Sequence, residues 1–162
     1  AYQSVSNMLA TPDATYNGSA YSSKAWKIGG GYAVDAFALN GVFEKINNNI
    51  GSGSSRAWYL SGKYNVTSAD TLKLAYTNVN NDVADNANSG AKQYSVGYDH
   101  KMSNRTTLYA LYTQLKNDAS AGYVLGWNSG STSVSGNAPW LADVSSTGQN
   151  VSAFSVGMKH AF

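Results

Sequence analysis

The stretch KAWKIGGGYAVDAFALNGVFEK, residues 24–45, changes character at every residue. Its even positions carry Trp26, Ile28, Gly30 and Tyr32, while Lys27, Gly29, Gly31 and Ala33 stand between them. A period of two sends successive side chains to opposite sides of an extended chain, so this is a strand with two chemically different faces. After Val34 and Asp35 the phase switches: Phe37, Leu39, Gly41 and Phe43 are now odd, set against Ala36, Ala38, Asn40, Val42 and Glu44. Two strands separated by so short a link predict a tight hairpin.

The same pattern continues along the chain. Trp58, Leu60, Gly62 and Tyr64 alternate with Tyr59, Ser61 and Lys63; Leu72, Leu74 and Tyr76 alternate with Thr71, Lys73, Ala75 and Thr77. Tyr94, Val96, Tyr98 and His100 oppose Gln93, Ser95, Gly97 and Asp99. Residues 106–116 are apolar in both phases (Leu108, Ala110 and Tyr112; Tyr109 and Leu111), which leaves their faces open. The final run sets Phe154, Val156, Met158, His160 and Phe162 against Ser155, Gly157, Lys159 and Ala161. Seven strands result, residues 1–7 read as the tail of an eighth, and no domain boundary divides residues 1–162.

Short links at residues 34–35, 65–70 and 102–105 interleave with long ones at 8–23, 47–55, 78–91 and 117–150, the long ones rich in Asn, Asp, Ser and Gly. A chain zigzagging in this way gathers its short turns at one end and its long loops at the other, the plan of an antiparallel transmembrane β-barrel. A soluble sandwich imposes no such segregation.

Composition agrees with this all-β reading. Only 12% of the 162 residues are charged, against about 25% in ordinary soluble domains. No apolar run approaches the length of a membrane helix, so a helical membrane protein is excluded, whereas a barrel averages lipid-facing and water-facing residues and escapes that test. The absence of cysteine removes disulfides, thiolate metal sites and cysteine nucleophiles. A formal charge of +2, from scattered basic residues, argues against a nucleic-acid groove. Residues 1–10 lack the basic start and apolar core of a signal peptide, so the chain reads as mature, cytosolic or a fragment.

Large rings recur near both ends of the apolar phases. Trp26 and Tyr32, Phe37 and Phe43, and Trp58 and Tyr64 lie six residues apart, with Tyr94 and Tyr98 on the same phase of their strand. Six residues at ~3.3 Å each span about 20 Å, close to a ~25 Å apolar band once the rings lean towards its borders. These rings are the expected lipid-facing aromatic girdle. The opposite phases then face water and offer Lys27, Lys63, Lys73 and Lys159 against Glu44 and Asp99. A lysine at mid-membrane on the lipid side costs about 2 to 4 kcal/mol, so this placement supports the assignment of faces. Lys45 shares the Phe43 face but lies at the outer rim, where its amine can snorkel to headgroups.

The segments KAWKIGGGY (24–32), QYSVGYDHKMSNRTTLYALYTQLKN (93–117) and FSVGMKHAF (154–162) resemble the C-terminal half of general Gram-negative bacterial porins, β-proteobacterial type. The terminus is the most specific element. In that family a final aromatic residue preceded by alternating apolar positions is read by the barrel-assembly machinery, and Phe154, Val156, Met158 and Phe162 fit; His160 departs from the pattern. The resemblance implies a 16-stranded barrel, a homotrimer and about eight strands from this chain. It also implies an N-terminal half that carries the constricting third loop.

The expected function is an outer-membrane channel for ion transport and passive diffusion of small hydrophilic solutes, weakly anion-selective. The expected partners are the lipid bilayer, lipopolysaccharide, the rest of the barrel and the assembly machinery. Two other readings fit the alternation alone: a complete eight-stranded membrane anchor or adhesin, and a soluble carbohydrate-binding β-sandwich.

No cofactor and no metal site are expected, apart from divalent cations bridging Asp13, Asp82, Asp85, Asp118 and Asp143 of the long loops to lipid phosphates. His100 and His160, on separate strands without a carboxylate or Cys partner at metal-ligand spacing, read as interfacial or structural. Gly29-Gly30-Gly31 has no helix behind it to cradle a phosphate, and no Ser-His-Asp arrangement is present, so no enzymatic activity is expected. Residues 123–127 and 139–141 could form a hairpin above the pore or fold over it.

Overall fold

The computed structural model describes residues 2–8, 21–48, 54–82, 88–125 and 147–162. They form eight strands: β1 (Tyr2–Met8), β2 (Tyr21–Val34), β3 (Phe37–Asn48), β4 (Ser54–Asn65), β5 (Asp70–Asp82), β6 (Ala91–Lys101), β7 (Thr106–Asn117) and β8 (Asn150–His160). The strands make one antiparallel meander in chain order, each paired with its sequence neighbours. The eighth strand that residues 1–7 suggested is β1, and its pairing with β2 carries an irregularity between Ser6 and Met8. From β2 to β8 the register runs without a break.

The hairpin between β2 and β3 turns at Asp35 and Ala36, one residue later than the alternation indicates. Val34 still pairs with Phe37, and Asp35 takes the positive φ of 46° that such a tight reversal requires. Its short polar side chain tolerates that conformation better than a branched one would. The other short connections are 66–69, where the Thr67 hydroxyl accepts from the backbone N–H of Ala69 and Asp70, and 102–105, where the Ser103 hydroxyl accepts from Arg105 and Thr106. Hydroxyls capping the N–H groups of a turn fix its geometry locally.

The sheet is a single layer. Among the described residues the buried apolar side chains are Ala91, Leu115 and Ala121 alone, while Ile28 is 66% and Phe154 70% exposed. A water-soluble sandwich would place its rings between two sheets, so this distribution removes the sandwich reading. The closed eight-stranded reading also fails among the described residues, because β1 pairs with β2, β8 pairs with β7, and no ladder joins β1 to β8.

Register also decides the faces of β7, which its sequence left open. Tyr112 lies opposite Val96 and Phe154, and Leu108 opposite His100 and Met158, so Leu108, Ala110 and Tyr112 share the ring-bearing face. Tyr109, Leu111, Thr113 and Leu115 point the other way, where Tyr109 packs against β8. A Cβ on Gly157 would come within 2.5 Å of the Tyr109 hydroxyl and within 2.8 Å of ring carbons. The prediction is that Gly157→Val lowers the unfolding free energy of the lipid-inserted protein, measured by urea titration, by about 1–3 kcal/mol of overpacking, and that adding Tyr109→Ala restores most of the loss.

Candidate functional site

Cross-strand register collects the apolar phases into one continuous surface. Ile28, Phe43 and Trp58 face one another across β2, β3 and β4, and Tyr32, Leu39, Gly62, Leu74, Val96, Tyr112 and Phe154 form a complete row from β2 to β8. The rings touch: Trp26 and Phe43 have centroids 5.2 Å apart, Phe43 and Trp58 4.4 Å, Phe37 and Tyr64 4.4 Å, Tyr76 and Tyr94 5.2 Å. Such cross-strand aromatic pairs stabilise neighbouring strands by roughly 0.2–1 kcal/mol each. All eight expected girdle residues lie on this face: Trp26, Tyr32, Phe37, Phe43, Trp58, Tyr64, Tyr94 and Tyr98. Phe154, Val156 and Met158 extend it along β8, and Phe162 follows β8 with its ring 4.9 Å from His160.

The ring border at the long-loop end is inclined to the strand rungs. It passes from Trp26 to Phe43 and Trp58, then to Tyr76 and Tyr94, then to Tyr112 and Phe154. Level pairs alternate with shifts of two residues, every shift directed towards the short turns. The average is about one residue per strand, or ~3.3 Å of rise for each ~4.8 Å of lateral spacing, equivalent to a strand tilt of about 35°. That value lies within the tilt of membrane-spanning barrels, and a girdle level with a membrane has to cross tilted strands in this way.

The opposite face is polar and carries the expected charged residues. Lys27 Nζ lies 4.0 Å from Glu44 Oε2 across β2 and β3, and Lys73 Nζ lies 2.5 Å from Asp99 Oδ2 across β5 and β6. Lys63 stands directly opposite Lys73, and Lys159 places its amine 5.5 Å from the Tyr109 ring centre, a cation–π contact. Residues from β3 through β8 line a single concavity of about 440 Å³ that holds Lys63, Lys73, Lys159 and Asp99, three amines to one carboxylate. The structure adds Lys101, in phase with Asp99 on β6, and Leu111, an apolar group that joins Tyr59 on the lysine face. Lys101 was readable from its phase but lies at the strand end, where alternation stops carrying information.

One cluster is invisible to local spacing. His100, expected to be interfacial or structural, has its Nδ1 2.7 Å from Asp70 Oδ1. The Tyr98 hydroxyl donates to the same oxygen at 2.5 Å, and the Thr67 hydroxyl donates to Oδ2 at 2.5 Å. Asp70 and His100 are thirty residues apart and become neighbours only through the β5–β6 register. The cluster ties the 66–69 turn to β6 at the short-turn border of the ring-bearing face. His160 bonds to Thr106, whose hydroxyl is 2.9 Å from Nδ1. No group of three His, Cys, Asp or Glu capable of holding a metal occurs among the described residues.

Asp118 is the one expected loop carboxylate whose side chain is described; it follows β7, beside Gly90. The side chain of Asp82, with Asp13, Asp85, Asp143, Trp127 and residues 139–141, lies outside the described residues. At the base of the 118–149 connection Asn117 donates from Nδ2 to the carbonyls of Tyr123 and Gln149 and accepts from the Tyr123 N–H, joining the two ends of the loop.

A single-layer antiparallel wall, greasy with a tilted aromatic border on one side and lysine-lined on the other, is the construction of a membrane-spanning β-barrel. The chain belongs to the Gram-negative porin family, which matches residues 1–120. Among solved structures it is similar to an anion-selective porin from Comamonas acidovorans, with 24% identity and a TM-score of 0.64 over 88% of this chain. The chain spans 40% of that porin's length, as part of a barrel. A comparison with curated proteins found no match.

The Asp70 cluster gives a stability prediction. Asp70→Ala strips His100, Tyr98 and Thr67 of a shared acceptor and is expected to cost about 1–3 kcal/mol. The same urea titration in lipid vesicles measures it, and Asp70→Asn, which retains one acceptor oxygen, should lose less.

Proposed function

We propose that this chain is part of the wall of a water-filled channel in the outer membrane of a Gram-negative bacterium, through which small hydrophilic solutes and ions diffuse passively. The observation that carries the reading is the division between the two faces over seven consecutive strands, the girdle rings gathered on one and Lys27, Glu44, Lys63, Lys73, Asp99 and Lys159 on the other. The outer edges of β1 and β8 present backbone groups with no ladder partner among the described residues. In hydrocarbon such groups need partners, so the channel is completed by further strands, about eight in a 16-stranded barrel. The constriction loop then belongs to those strands, and the complete barrel is read as a homotrimer inserted by the barrel-assembly machinery acting on the Phe154–Phe162 pattern. Its surroundings are the bilayer and lipopolysaccharide.

A channel of this kind makes and breaks no bonds and requires no cofactor, so no enzymatic role is assigned. The amine excess in the lysine-face concavity supports a weak preference for anions, because a wall of one sign raises the local concentration of counter-ions. The similar porin from Comamonas acidovorans is itself named as anion-selective, which supports the same sign. Asp99 moderates the preference here by holding Lys73.

Reversal potentials of the complete protein in planar bilayers, under a salt gradient, test both statements. Lys63→Gln combined with Lys159→Gln should move the reversal potential towards the cation side, whereas Asp99→Asn should move it towards the anion side by releasing Lys73. A cation-selective channel indifferent to these substitutions would overturn the lysine wall, and absence of conductance would overturn the pore.

A further inference from the structure

The concavity on the lysine face is hollow for a local reason. Its floor centres on Gly97, which stands between Lys73 on β5 and Leu111 on β7 in one cross-strand rung. A Cβ there would meet the Lys73 Cβ at 3.6 Å and the Leu111 Cδ1 at 3.7 Å, ordinary contact distances, and the residue has no positive φ. A side chain would therefore fit, and the chain's own packing does not demand glycine. The next rung towards the long loops adds Ser61, Ala75 and Ser95, so small residues floor a depression of about 440 Å³. That volume falls within the range of small-molecule sites.

The rim of the hollow divides by chemistry. The rung of Lys63 and Lys73 continues through Gly97 and Leu111 to Ser155. Lys159 lies four residues beyond Ser155 towards the short turns, four strands from Lys63, and Asp99 lies two residues beyond Gly97, two strands from Lys63. A tilt averaging about one residue per strand therefore brings Lys63, Asp99 and Lys159 to one height, with Lys73 within about one residue of it. Leu111, on the rung of Lys63 but three strands away, and Tyr59, four residues back along β4, fall on the long-loop side of that height. Tyr109 leans over Gly157 on β8, so its ring walls the hollow without filling it.

The amines are not equally engaged. Asp99 holds Lys73, and Lys159 rests on the Tyr109 ring, whereas Lys63 has no carboxylate partner among the described residues. Amines alone would attract any small anion. An apolar wall beside them adds a choice among anions, because a solute that also carries an apolar body removes that body and the wall from water together. The wall also displaces water from around the amine, which strengthens its attraction for a bound acid.

We infer that this concavity is a transient binding site for small organic anions in which one carboxylate is joined to an apolar ring. The carboxylate meets Lys63, and the ring settles over Gly97 against Leu111 and Tyr109. A solute arriving from the long-loop side is turned acid foremost by the division of the rim. The inference rests on the pore reading and its anion preference, and adds which anions the wall retains. Such binding has to be weak, since a solute that does not leave obstructs the channel.

The test records chloride current through the complete protein in planar bilayers while benzoate, acetate or the neutral isostere benzamide is added. Benzoate should reduce the current saturably, with half-block at a concentration about tenfold below that required of acetate or benzamide. These comparisons need no variant to fold. Gly97→Leu, which occupies the hollow and keeps every charge, should raise the half-block concentration of benzoate to that of acetate. Lys63→Gln should raise it about fivefold. Block by acetate or benzamide equal to that by benzoate, or block by benzoate unchanged in Gly97→Leu, would overturn the site while leaving the pore reading intact. Absence of chloride current in the unmodified protein would overturn the pore reading and the inference with it.

Discussion

A peptide N–H or C=O placed in hydrocarbon has no water to turn to, and leaving it unpaired costs several kcal/mol. Every prominent feature of this chain follows from meeting that requirement with strands. The register from β2 to β8 is unbroken, and the irregularity in the sheet falls in β1. None of the described strands contains a proline, whose missing N–H would interrupt a ladder. Turns at the short-link end satisfy their own amides through Thr67 and Ser103 rather than leaving them to the membrane border. Among the described residues the ladder ends at the outer edges of β1 and β8.

Once the backbone is paired within a single layer, side chains have no interior to occupy, and stability has to come from the solvents on the two sides. That is why the described sheet holds only two buried apolar side chains, Ala91 and Leu115, while many of its large rings are exposed. In water such a surface would drive aggregation; against lipid it is matched to its surroundings. Cross-strand contacts such as Phe43 with Trp58 and Lys73 with Asp99 then replace core packing as the specific interactions between neighbouring strands.

Alternation makes most of this architecture legible in the amino-acid sequence, because one period of two fixes both the strand and the chemistry of each face. Two of the hairpins, most of the lysine phase and six of the eight girdle rings can be read from residues 24–76 alone. Three things cannot. The faces of β7 are hidden because Tyr109 and Leu111 make its inward phase as apolar as its outward one, and only the neighbours Val96 and Phe154 resolve the choice. Alternation puts the β2–β3 turn one residue early because Ala36, in phase with Ala38 and Asn40, reads as the start of β3, whereas Val34 still pairs with Phe37. The contact between Asp70 and His100 depends on the pairing of β5 with β6, and no local spacing encodes it.

The two faces also show how surroundings change the meaning of one motif. Lys63 opposite Lys73 and Lys92 opposite Lys116 are the same cross-strand arrangement of two amines. On the lysine face Asp99 offsets one member of the pair. On the outer face Lys116 lies 5.9 Å from the Tyr94 ring centre, a partial compensation, and the lipid beside it screens little. The same repulsion is therefore screened differently on the two sides of one sheet. The same physics explains the scarcity of charge elsewhere on that face: between the girdle borders a lysine would find neither water nor phosphate, and the described positions there hold Ile28, Leu39, Leu60, Leu74 and Val96 instead.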